Sequence, residues 1–124
     1  MTKKTFVIGA ILLLAVVAFA REGKSVKLTG YIIDNMCSGR AATENGADKV
    51  KAHGVKCMMM PKCAESGYAV YADGKLYKFD EEGNKKAAEI LKNTKVEKSV
   101  QVSVEGTVEG DILTVKSISE VAGG

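Results

Sequence analysis

The sequence predicts a mainly β domain: a small five-stranded barrel with one helix between the third and fourth strands. Three observations support this prediction. Five segments alternate apolar and polar residues with the two-residue period of a strand. Turn residues separate the strands of two hairpins, and one segment has the apolar spacing of an amphipathic helix.

The first predicted strand covers residues 25–34, with the sequence SVKLTGYIID. Val26 and Leu28 fall on one side of it, and Lys27 and Thr29 fall on the other. We therefore expect one face of this strand to contact the core.

Residues 35–67 have little strand character, and we predict that they form a partly helical connection. A helix is expected around Ala47 to Met60, where Pro61 would end it and turn the chain. This connection contains all three cysteines and the only histidine of the chain.

Two short strands should follow, joined by a turn at Asp73 and Gly74. The next segment, NKKAAEILKNT, predicts a helix from Asn84 to Thr94 with Asn84 as its N-cap. We expect this helix to cover one end of the barrel, with its apolar side chains inward and its lysines in water.

The last two strands form a predicted hairpin that turns at Gly110 and Asp111. Gly30 and Gly106 lie inside strand patterns, where glycine is typical of the bends that a closed barrel needs. Five strands with a helix after the third is the order of the OB-fold, a partly open Greek-key barrel. A flat sheet with one helix packed on it is the alternative.

Residues 1–20 have the pattern of a secretory signal peptide: two early lysines, an apolar run and small residues at the end. We predict cleavage after Ala20, which leaves one OB-like domain at residues 21–124. The protein would then be exported to the periplasm or the extracellular space. An uncleaved membrane anchor is the alternative; otherwise we expect membrane contact only through the signal peptide before cleavage.

The charge of the predicted mature chain is close to neutral. The whole chain has 18 basic and 15 acidic residues, and the leader removes two lysines and no acid, which leaves 16 basic residues. A nucleic-acid-binding protein normally keeps a strong basic excess, so we expect no nucleic-acid partner.

The segment HGVKCMMMPKC, residues 53–63, concentrates ligands that soft metal ions prefer. If the predicted helix forms, His53 and Cys57 lie at positions i and i+4 on one of its faces. Cys63 would return after Pro61, and Cys37 would close the group from the end of the first strand. Three thiolates and one imidazole suit tetrahedral zinc, and they also suit copper(I).

Two neighbouring residues extend this predicted metal site. Met60 is the methionine best placed to add a thioether ligand, because it lies three residues from both Cys57 and Cys63. Met36, beside Cys37, is a distant second candidate. Asp34 stands before Cys37 and is a candidate second-shell residue that orients a ligand.

The cysteines have two other interpretations. In an oxidising compartment Cys57 and Cys63 could form a disulfide, which would leave Cys37 free for a partner or a reactive role. The alternative function is then a thiol-redox protein, or an envelope interaction module stapled by that disulfide, without metal. All three thiols could instead be buried and inert.

The motifs of common enzymes are missing from the sequence, including the nucleophile elbow, the phosphate-binding glycine loop and the H-E-x-x-H zinc motif. We therefore predict a binding protein and not an enzyme, with thiol-redox activity as the exception to test. Its expected partners are a metal ion and an envelope protein.

Several segments of the chain resemble a group of small exported bacterial proteins of unknown function. These segments are GYIIDNMC, HGVKC, MPKCAESGY, DGKLYKFD and VEGTVEGDILTVKSI, and they cover nearly the whole predicted mature chain. The resemblance implies an OB-like barrel and a D-x-x-C, H-x₃-C and C pattern. In this chain that pattern falls on Asp34, Cys37, His53, Cys57 and Cys63. No reaction is implied by it.

Overall fold

A computed structural model describes residues 23–121, and in it five strands form a closed barrel in the order β1-β2-β3-β5-β4. This arrangement confirms the predicted mainly β barrel. The strands are β1 (Lys24–Asp34), β2 (Tyr68–Ala72), β3 (Lys75–Phe79), β4 (Gln101–Glu109) and β5 (Ile112–Glu120). The predicted signal peptide and its cleavage position lie outside the described residues.

The first strand contributes to the barrel twice, because its two halves pair with different neighbours. Residues 24–31 pair with β4, and residues 31–34 pair with β2, both antiparallel. Gly30 lies where the strand passes from one neighbour to the other. A Cβ atom there would collide with the carbonyl oxygen of Tyr71, so only glycine allows this close approach.

The other bend lies in the last hairpin. The register of β4 against β5 shifts between Glu105 and Gly106, and a Cβ atom on Gly106 would collide with the carbonyl oxygen of Thr114. This irregularity is a β-bulge, which curves the strand as barrel closure requires. The barrel closes where β3 and β5 pair in parallel.

The interior of the barrel is filled by buried apolar side chains from the strands and from a helix. That helix, α4 (Glu81–Asn93), follows β3 and buries Ala87 and Leu91 in the core, while its lysines are exposed. The predicted helix position and its inward face are thus confirmed. Core residues include Ile32, Met58, Tyr68, Val70, Phe79, Val100, Val102, Val104 and Leu113.

The predicted N-cap of this helix was wrong. Asp80 caps it by accepting a hydrogen bond from the backbone N–H of Gly83 at 3.1 Å, and the helix begins at Glu81. Asn84 lies inside the helix, where its Oδ1 accepts from the backbone N–H of Tyr68 at 2.8 Å. Aspartate is as good a cap as asparagine, and the end of β3 leaves Asp80 in the extended conformation that a cap needs.

The connection between β1 and β2 is partly helical, as predicted. It contains a 3-10 helix (Asn35–Ala42) and three short helices: α1 (Gly46–Ala52), α2 (Val55–Met58) and α3 (Pro61–Glu65). Val50 of α1 packs on the outside of the barrel against Ile33 and Ala69, whereas Met58 of α2 belongs to the barrel core.

The continuous helix predicted from Ala47 to Met60 was wrong, because the chain leaves the helical conformation at His53. His53 is extended, with φ −71° and ψ 120°, and Gly54 forms an isolated β-bridge with Lys98. The backbone N–H of Val55 donates to the carbonyl of Glu97 at 2.8 Å. Glycine is a weak helix former, so this tertiary pairing outcompetes the helix. His53 and Cys57 therefore do not share a helix face.

Candidate metal centre

The candidate site is built around the carboxylate of Asp34, the last residue of β1. This side chain is fully buried, and its Oδ2 accepts a hydrogen bond from the backbone N–H of Cys37 at 3.0 Å, which caps the 3-10 helix. Its Oδ1 lies 2.8 Å from Nε2 of His53. A carboxylate oxygen accepts, so the imidazole N–H donates. These two bonds compensate the cost of burying the carboxylate and hold both oxygens in place.

Two cysteine thiols lie beside this carboxylate. An oxygen of Asp34 and the sulfur atoms of Cys37 and Cys63 all lie within 4.8 Å of one another. Ligands that share one ion through metal–sulfur bonds of about 2.3 Å are at most about 4.6 Å apart. Small side-chain movements would therefore let the three residues, which we call the Asp34 cluster, hold a metal ion.

A set of hydrogen bonds brings Cys63 to the start of the 3-10 helix. The hydroxyl of Ser66 donates to the carbonyl of Cys63 at 2.6 Å and accepts from the backbone N–H of Met36 at 3.1 Å. The side-chain amide of Asn35 donates to the carbonyl of Ser66 at 2.8 Å, and its backbone N–H donates to Gly67 at 2.9 Å. The two cysteines, 26 positions apart in sequence, are thereby fixed relative to each other.

Burial and the nearby carboxylate make both thiols weak acids. Desolvation raises the pKa of Cys37, Asp34 raises it further, and Arg40 lowers it in part. Desolvation also raises the pKa of Cys63, with Asp34 and Cys37 adding to the effect. A cation reverses this preference, because a positive charge favours the thiolate form. Without a metal ion, the two thiols therefore stay protonated to higher pH than free cysteine does. A bound metal ion would replace these protons and stabilise the thiolates.

A third sulfur lies at the edge of the cluster. The thiol of Cys63 donates to Sδ of Met36, with 4.0 Å between the two sulfur atoms. Met36 is 58% exposed, whereas Cys63 is 7% exposed. The thioether therefore stands on the solvent side of the buried thiol.

The structure brings only some of the predicted site residues together. Cys37 and Cys63 come together, and His53 joins them through its hydrogen bond to Asp34. Cys57 is exposed and lines an open pocket with His53, Arg40 and Lys49. Met60 immediately precedes α3, and it is 56% exposed.

Two residues, Asp34 and Met36, lie closer to the centre of the site than their sequence patterns predict. Asp34 was expected to orient a ligand, and its carboxylate is itself a member of the cluster. The spacing of Asp34 and Cys37 was the available signal, because an N-cap side chain bonds the backbone about three residues later. For Met36 the sequence signal was its position beside Cys37, whereas its proximity to Cys63, 27 positions away, depends on how the connection folds back.

Comparison of the chain with protein-family models, curated proteins and solved structures finds no match in any of the three. The resemblance to small exported bacterial proteins therefore stays a prediction. Within residues 23–121, none of the helices has the length and apolar character that a membrane span requires.

Proposed function

We propose that this protein is an exported binding protein that holds a soft metal ion, zinc or copper(I), in the Asp34 cluster. The observation that carries this proposal is the convergence of Asp34, Cys37 and Cys63 within 4.8 Å of one another. Thiolates are preferred ligands of both ions, and carboxylate oxygens are also common zinc ligands.

The geometry favours different roles for Asp34 and His53 from those predicted. Asp34 lies within reach of an ion shared with the two sulfurs, while the imidazole is directed to Asp34 at 2.8 Å. We therefore assign Asp34 as a ligand when the ion is zinc, and His53 as the residue that orients Asp34. Outer-shell partners of this kind fix the position of a ligand.

The proposed location is outside the cytoplasm, because residues 1–20 have the pattern of a signal peptide. The role there is structural, or the handling of metal together with an envelope partner, and it includes no catalysis. The fold supports such a role by holding the site in place: Asp34 is the last residue of β1, and Ser66 links Cys63 to Met36 in the 3-10 helix.

Metal content of the purified protein tests this proposal. The full chain would be expressed with export to the periplasm, and native mass spectrometry would report bound zinc or copper and the N-terminus together. We expect one ion per chain, and its loss in both Cys37→Ser and Cys63→Ser. Cys57→Ser is the matched control, because Cys57 is an exposed thiol on the same connection. Metal retained by both cluster variants, or lost in the control alone, would refute the assignment.

The second candidate function is thiol redox, with Cys37 and Cys63 as the reacting pair. Their sulfur atoms lie within 4.8 Å, and all three cysteines are free thiols in the structure. A small-molecule disulfide would oxidise the two thiols to a Cys37–Cys63 disulfide and leave as two thiols, which take up the two protons. The structure favours Cys37 over the exposed Cys57 as the partner of Cys63.

Peptide mapping without reductant separates the two candidates. The redox function predicts a Cys37–Cys63 disulfide in the exported protein that a mild thiol reductant opens reversibly, with no bound metal. A metal-loaded protein with two reduced cluster cysteines supports the metal-binding function instead.

A further inference from the structure

A third sulfur atom, Sδ of Met36, lies beside the Asp34 cluster. Sδ of Met36 lies 4.0 Å from Sγ of Cys63, so the two sulfur atoms flank one region of space. A metal ion that replaces the proton on Cys63 would occupy the same region. With metal–sulfur bonds of about 2.3 Å, two ligands of a trigonal ion would be about 4.0 Å apart.

The backbone fixes this arrangement. The N–H of Met36 donates to the Ser66 hydroxyl at 3.1 Å, and the same hydroxyl donates to the carbonyl of Cys63 at 2.6 Å. One serine therefore holds the main chain of both sulfur-bearing residues. Met36 gains little from packing, because 58% of it is exposed.

We propose that the ion is copper(I), held by the three sulfur atoms of Cys37, Cys63 and Met36. This inference rests on the proposed metal-binding function and names its ion. Thiolates and thioethers are the ligands that select copper(I). Zinc uses cysteine, histidine and carboxylate ligands, so the Met36 thioether adds nothing to a zinc site.

The role of the Asp34 carboxylate then depends on the ion: it would bind zinc directly, but it would not bind copper(I). Its two oxygens already accept hydrogen bonds from Cys37 and His53. A hard oxygen ligand is poorly matched to copper(I), so Asp34 keeps these bonds and holds the 3-10 helix while sulfur binds the ion. With zinc, one oxygen of Asp34 is a ligand.

Competition with metal chelators tests the inference. The wild-type protein, Met36→Leu and Met60→Leu would be reduced without oxygen and titrated with copper(I) against a copper(I)-specific chelator. A parallel titration would use zinc(II) and a zinc chelator. Met60→Leu is the matched control, because Met60 is 56% exposed and Met36 is 58% exposed.

We expect Met36→Leu to weaken copper(I) binding by at least about tenfold. Loss of an outer-shell partner typically weakens metal binding by about 10- to 100-fold, so loss of a direct ligand should do no less. Zinc binding by Met36→Leu, and binding of both ions by Met60→Leu, should stay within about twofold of the wild type. X-ray absorption at the copper edge should show three sulfur neighbours in the wild type and two in Met36→Leu. Unchanged far-ultraviolet circular dichroism would establish that the variant is folded.

The other outcomes separate the two proposals. Unchanged copper(I) affinity in Met36→Leu, or a wild-type protein that binds zinc and not copper(I), overturns this inference and leaves the proposed metal-binding function intact. A wild-type protein that binds neither ion overturns both.

Discussion

Replacing Met58 with alanine should destabilise the protein strongly, whereas the same change at either following methionine should not. Met58 is 0% exposed and belongs to the barrel core, whereas Met59 is 40% exposed and Met60 is 56% exposed. The carbonyl of Met58 also accepts a hydrogen bond from the buried hydroxyl of Tyr68 at 2.9 Å. This residue therefore fastens the cysteine-bearing connection to the barrel.

The size of the effect follows from burial. A buried methionine replaced by alanine loses about 2 to 5 kcal/mol of unfolding free energy, because apolar contacts disappear and a cavity remains. Exposed substitutions usually change it by less than about 0.5 kcal/mol. A loss of about 3 kcal/mol would lower the melting temperature of a domain of this size by roughly 12 to 24 °C.

Urea unfolding of the metal-free protein, with a chelator present, is the appropriate assay, since bound metal would add its own stabilisation. The dependence on urea should be the same in all three variants, so that midpoint differences report stability alone. Equal midpoints for Met58→Ala and Met60→Ala would refute the reasoning, because they would mean that α2 is not packed in the core.

Three further predictions concern the helix and the thiols. Leu91→Ala should cost about 2 to 5 kcal/mol in urea unfolding, since Leu91 is 2% exposed in the core; a loss below about 0.5 kcal/mol would show that α4 does not pack on the barrel. Asp80→Ala should lower the unfolding free energy by about 0.5 to 2 kcal/mol through loss of the helix cap. The total loss should be larger than this, because Asp80 also accepts a hydrogen bond from the backbone N–H of Val115. Asp80→Asn keeps an acceptor and should cost less, so equal losses would argue against the cap. The folded state raises the pKa of the Cys37 and Cys63 thiols, so these thiols ionise more readily in the unfolded chain. The metal-free protein should therefore keep its stability below about pH 8.5 and lose stability as pH rises further. An equal loss of stability in a Cys37→Ala, Cys63→Ala double variant would refute this.

The barrel was predictable because its signals are local. Alternation in β1 and the turn at Asp73 and Gly74 depend on neighbouring residues, and a strand has to bury one face wherever it lies. The bends at Gly30 and Gly106 were also predicted, since glycine inside a strand pattern often marks a bend or a close approach of another backbone segment. The helix after β3 was predicted from its apolar stripe, although its first residue was not.

The long helix predicted after residue 46 shows where local signals fail. The sequence around His53 is compatible with a helix, but Gly54 pairs with Lys98, which is 44 positions away. A pairing partner at that distance leaves no trace in the local pattern. The expected i, i+4 relation of His53 and Cys57 disappeared with the helix.

The sequence by itself determined that soft ligands are concentrated in one connection and that this connection leaves a barrel strand at Asp34. Only the tertiary structure decided which of them meet. Cys63 reaches Cys37 because Ser66 and Gly67 bond to the start of the 3-10 helix, and Met36 reaches Cys63 by the same bonds. Composition sets the available ligands, but a shared ion needs atoms within a few ångströms, and that separation depends on how the connection folds back on the barrel.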